Sequence, residues 1–107
     1  MKIYDKLVRD KIPEIISNDG RKFESRVMNE DEFKKKLVEK FEEERIELAN
    51  SSNSEDIKEE LADILELVHA YSKFFKIDFK EIEDIRSSKL VKRGGYDNKI
   101  LLKYVES

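Results

Sequence analysis

Two helical patterns of about twenty residues, joined by a short polar turn, constrain this chain more than any other feature. The patterns run over about Glu30–Ala49 and Glu55–Phe75, with Asn50-Ser51-Ser52-Asn53-Ser54 between them. At 1.5 Å rise per residue each helix is roughly 30 Å long. So short a link lets the second helix only fold back on the first, which gives an antiparallel hairpin. Apolar residues repeat at helical spacing on both: Leu37, Phe41 and Leu48 on the first, Ile57, Ile64, Leu67 and Tyr71 on the second.

Acidic residues interrupt both stripes near the turn. Glu44 occupies the gap between Phe41 and Leu48, and Glu60 the gap between Ile57 and Ile64. Each has a partner three residues on, Glu47 and Asp63, on the same helix face. An amphipathic helix normally turns its charges away from its apolar stripe. Inward carboxylates are costly unless paired, hydrogen-bonded or bound to a cation, and several together raise one another's pKa. A divalent ion resolves the conflict, and an oxygen-only set suits Mg²⁺, with Mn²⁺ as substitute, better than zinc or copper. Glu44, Glu47, Glu60 and Asp63 are therefore the expected metal ligands. The ordinary explanation is a hairpin edge carrying Lys/Glu ladders. With 44% charged residues, one acidic pair at spacing three arises by chance, but two that each intrude on an apolar stripe do not have so ready an explanation.

At these residues the chain resembles the all-α NTP pyrophosphatases, the superfamily of MazG-like proteins, dUTPase-like members and phosphoribosyl-ATP pyrophosphohydrolases. The superfamily signature is E-x-x-E, a helical hairpin, then E-x-x-D. Here it stands as EERIEL and EELADIL, with Leu48 to Glu59 between the two motifs. The opening YDKLVRDKIPEII and the later RGGY are similar to a small house-cleaning subgroup of MazG-like proteins. The resemblance implies a single MazG-like domain over 1–107 and an Mg²⁺-dependent pyrophosphohydrolase. It also implies a homodimer or higher homo-oligomer.

Composition narrows the alternatives. One hundred and seven residues make one small domain. A net charge of −3 and pI near 5.4 give no basic field for a nucleic acid polymer. The absence of cysteine removes disulfides, thiolate metal sites and cysteine nucleophiles. No apolar run approaches the roughly 18 residues of a membrane span, and the N-terminus lacks the apolar stretch of a signal peptide. A cytoplasmic location is the expectation.

The remaining segments are shorter. Met1–Arg9 reads as an extended or irregular lead-in, and Pro13 suits the start of a helix over about Pro13–Ser17. Asn18-Asp19-Gly20 is a turn signal. Phe23–Met28 alternates as a strand does, with Ile100–Val105 its one good partner, so the fold expected is mainly α with a short two-stranded β element. Asn29 with Glu32 predicts a capping box. Asp78 with Glu81 repeats the pattern ahead of a third helix through Phe79, Ile82 and Ile85, which Gly94-Gly95 ends. A hairpin and one shorter helix leave wide apolar faces, and pairing two hairpins into a four-helix bundle covers them.

If the carboxylates hold Mg²⁺, the chemistry that fits is attack of water on a nucleoside triphosphate between the α and β phosphorus atoms, giving a monophosphate and pyrophosphate. Glu44 or Glu47 is the general base; spacing does not choose between them. Lys6, Arg9 and Lys11, and Lys89, Lys92 and Arg93, form two basic clusters. The resemblance favours Arg9, Lys89 and Arg93 on the substrate side, with Tyr96 a stacking residue or a packing anchor. Two rivals stand beside this reading. Glu66 and His69 have the E-x-x-H spacing of ferritin-like di-iron ligands, and the chain could be a non-enzymatic helical dimerisation module. Phosphoribosyl-ATP also remains an alternative substrate, and the base of the nucleotide is not readable.

Overall fold

A computed structural model describes residues 1–107 as four helices and no strand. They are α1 (Ile12–Asn18), α2 (Glu30–Asn50), α3 (Ser54–Phe74) and α4 (Phe79–Arg93). No helix is long and apolar enough to cross a membrane.

Local chemistry sets each start. Asn29 Oδ1 accepts from the Glu32 amide at 2.9 Å while Glu32 reaches back to the Asn29 amide, completing the expected capping box. Asn53 caps α3 by accepting from the Asp56 amide at 2.9 Å. Asp78 caps α4, but its carboxylate accepts from the Lys80 amide and not from that of Glu81, so the reciprocal box does not form. At the end of α3 the amide of Ile77 bonds to Ser72 O and that of Lys76 to Lys73 O, a Schellman arrangement. Its left-handed position is held by Lys76, at φ 58°, where glycine is the usual residue. Gly94, at φ 80°, ends α4 with its amide on Leu90 O.

α2 and α3 form the antiparallel hairpin. Phe33 meets Phe74 edge-on at 5.5 Å, and Phe41 meets Tyr71 at 6.1 Å. Leu37 and Leu67 are the two buried hydrophobic residues. α4 crosses back at its N-terminal end, where Phe79 stacks on His69 at 3.8 Å.

The two flanks of the hairpin differ. Along one lies the N-terminal segment, tied by Lys6 to Glu43 at 3.0 Å, Arg9 to Asp63 at 2.7 Å and Lys36 Nζ to Asp5 O at 3.2 Å. On the other, Val38, Phe41, Val68, Tyr71, Phe75, Ile77 and Ile82 line an open apolar groove of about 460 Å³. Only 4 of 107 residues are buried. The radius of gyration is 18.3 Å, against about 13 Å for a compact domain of this length.

The expected β element does not form. Val27 is 96% exposed and Ile100 82%, and neither segment lies in a strand. Two lone strands are marginal without an apolar surface beneath them, and the helices offer these segments none.

Candidate metal centre

The antiparallel register brings Glu44 and Glu60 together on the turn side of the Phe41–Tyr71 pair. Asn53 and Ser51, whose hydroxyl donates to Glu47 O at 2.9 Å, fix the turn that sets this register. One carboxylate oxygen from each of Glu44, Glu47 and Glu60 lies within 4.8 Å of the other two. Oxygens on opposite sides of an Mg²⁺ ion are about 4.2 Å apart, so the three are close to ligand spacing without a change of fold.

Glu44 is the centre of the group. It is only 5% exposed, as its place in the apolar stripe requires. Its Oε1 lies 3.9 Å from Lys40 Nζ, but that ammonium sits closer to Glu43, at 3.2 Å. With both carboxylates ionised, the buried Oε2 atoms of Glu44 and Glu60 have no hydrogen-bond donor. Burial first, then a proton shared with Glu60, then the charges of Glu47 and Asp63, push the Glu44 carboxyl up to about 8. Buried acceptors without donors are rare in proteins and mark a site that a proton or a cation completes. The donor set is all oxygen, which fits a hard divalent ion.

Asp63 stands beside this group and not in it. Its Oδ1 accepts from Arg9 Nη2 at 2.7 Å, yet it is near enough to raise Glu44. Arg9 thus lies at the acidic end of the hairpin. Lys6 also borders it, held up in pKa by its bond to Glu43 and by the charge of Glu47. Sequence reasoning missed the docking of this segment on the hairpin flank. The signal for it was charge complementarity alone, a run with Lys2, Lys6, Arg9 and Lys11 against an acidic hairpin.

The other expected residues lie apart. Lys89 and Arg93 line a cavity of about 380 Å³ with Asp84, Ile85, Ser88 and Lys92, all from α4, and none of the four carboxylates borders it. Tyr96 is 97% exposed and anchors no packing. Of the E-x-x-H pair, His69 is engaged in stacking on Phe79 and Glu66 is exposed, and neither belongs to the acidic group. No family model, curated protein or solved structure matches this chain.

Proposed function

We propose that the protein is an Mg²⁺-dependent nucleoside triphosphate pyrophosphohydrolase, with Mn²⁺ able to substitute. It cleaves between the α and β phosphorus atoms in house-cleaning of non-standard nucleotides, in the cytoplasm. The observation that carries the reading is Glu44, buried with an oxygen that lacks a donor, facing Glu60 and Glu47 across the hairpin. The motifs EERIEL and EELADIL, which resemble those of the all-α NTP pyrophosphatases, supply the reaction class.

Glu44, Glu47 and Glu60 hold the ion, and Asp63 is the fourth carboxylate. A bound Mg²⁺ neutralises phosphate oxygens and lowers the pKa of an attacking water. Glu47, at the exposed edge of the group, takes the water's proton more readily than the buried Glu44. Arg9 supplies a bidentate contact to the polyphosphate. Lys89 and Arg93 reach substrate only from a second copy or after movement of α4, since their cavity has no carboxylate of the group in its wall.

The working form in this reading is a homodimer or larger oligomer. Leu61, Leu65, Val38 and Phe75 stay exposed on the groove flank, and a second hairpin laid on it completes a four-helix bundle. Static light scattering at micromolar concentration is expected to give at least twice the chain mass; a monomer would remove the bundle.

Pyrophosphate release from a panel of standard and damaged nucleoside triphosphates, with Mg²⁺ and with EDTA, tests the activity. Metal-dependent release with a monophosphate product supports it. Silence across the panel from a folded protein would sink it and leave phosphoribosyl-ATP or a dimerisation module.

A further inference from the structure

The Arg9–Asp63 pair has the features of a contact made to be exchanged. Asp63 follows Glu60 by three residues on α3 and so faces the same side. Yet its carboxylate is turned to a guanidinium 54 residues away in sequence. The pair is partly open to solvent, with 60% of the Arg9 side chain and 36% of Asp63 exposed, and such pairs are weak. Separate ties hold the segment that carries Arg9: Lys6 on Glu43 and Asp5 O on Lys36. Releasing the guanidinium therefore does not release the segment.

Charge gives the direction of the exchange. Glu44, Glu47, Glu60 and Asp63 crowd one end of the hairpin, and Arg9 partly offsets them. A divalent cation offsets them more strongly, and in the metal-dependent reading Asp63 is its fourth carboxylate. The freed guanidinium is then a surplus positive charge beside the ion, where a polyphosphate has to bind.

We infer that Arg9 is a clamp on Asp63 that transfers to the polyphosphate when a divalent cation takes its place. This rests on the metal-dependent reading above and adds a role that a fixed substrate-binding arginine lacks. The clamp lowers affinity for the cation alone and raises affinity for polyphosphate once the cation is bound. The ion then binds best together with a polyphosphate, and idle loading of the site is suppressed. Arg9 is a positioning and binding residue; it moves no proton.

The opposite signs of the two effects make the test. Mn²⁺ binding is followed by the electron paramagnetic resonance of the free ion, in the wild type and in Arg9→Gln, Arg9→Lys and Lys6→Gln. Helix content by circular dichroism certifies each variant as folded. Tripolyphosphate, which carries no base, is then titrated calorimetrically into the Mn²⁺-loaded proteins. Arg9→Gln is expected to bind Mn²⁺ about two- to fivefold tighter, the scale of a partly exposed ion pair. It is expected to bind tripolyphosphate about tenfold or more weaker, the scale of a charge-assisted hydrogen bond. Arg9→Lys falls between on both counts. Lys6→Gln removes an equal charge whose partner, Glu43, lies outside the group of carboxylates that would hold the ion, and it leaves Mn²⁺ affinity within about twofold. Unchanged or weaker Mn²⁺ binding in Arg9→Gln overturns the clamp, as does an equal gain in Lys6→Gln or unchanged tripolyphosphate affinity. No Mn²⁺ binding by the wild type overturns the metal reading and the clamp together.

Discussion

The two ends of the α2–α3 hairpin are built on the same helices and closed in opposite ways. At the end remote from the turn, Phe33, Phe74, Phe41 and Tyr71 meet edge to face, and Leu37 and Leu67 are buried. Burial and packing alone satisfy that end. At the end near the turn the same stripe carries Glu44 and Glu60, and packing leaves two carboxylate oxygens without donors. One interface thus holds a region that stabilises the fold and a region that strains it. A chain with only two buried hydrophobic residues has little stability to spend on strain that serves nothing.

The largest effect is expected where the aromatic end is broken. Leu37 is 1% exposed, and Leu37→Ala should cost about 2–5 kcal/mol, read as a lower urea midpoint. A change below about 1 kcal/mol would show that this end is not the stabilising one.

The acidic end should answer in activity and not in stability. Glu47→Gln or Asp63→Asn is expected to reduce Mg²⁺-dependent pyrophosphate release by about a hundredfold or more, because a bound metal contributes several kcal/mol to such reactions. Without metal Glu47→Gln should melt at or above the wild-type temperature, since like-charge repulsion is relieved, whereas Asp63→Asn also gives up the Arg9 ion pair. Full activity in either variant would take that residue out of the site.

A pH series separates the two ends more finely. The Glu44 carboxyl sits near 8 in the fold and near about 4.3 in an unfolded chain. The folded state therefore holds an extra proton between those values. Its contribution to stability is complete below the lower value and is lost as pH rises through the upper one. In EDTA the urea midpoint should fall from pH 5 to pH 8.5, and Glu44→Gln should flatten most of that slope. A midpoint that rises over this range would contradict the burial of Glu44 as an acid.

The smallest effect is expected at the junction beyond the aromatic end. Lys76 holds a left-handed backbone at φ 58°, and Lys76→Gly should stabilise the fold by up to about 1 kcal/mol. Thermal melting would detect it, and a loss would mean that the Lys76 side chain contributes more than its backbone costs.

The helices were legible in the sequence because their signals are local. Asn29 with Glu32, the polar turn from Asn50 to Ser54, and Gly94 after Arg93 each mark a boundary within a residue or so of where it falls. The inward position of Glu44 was legible too, because a 3.6-residue period with a carboxylate in its apolar stripe has few other outcomes. The alternation of Phe23–Met28 misled for the complementary reason: strand periodicity says nothing about whether a partner and an apolar surface are at hand.

Spacing alone thus puts Glu44 with Glu47 on one helix face and Glu60 with Asp63 on another, because helix geometry relates residues three and four apart wherever the helix goes. Only the tertiary structure decided that Asp63 turns to Arg9, that Lys6 seats on Glu43, and that Lys89 and Arg93 line a cavity apart from the acids. The two ion pairs join residues tens of positions apart. These placements depend on how the N-terminal segment and α4 dock on the hairpin, and no local period encodes that.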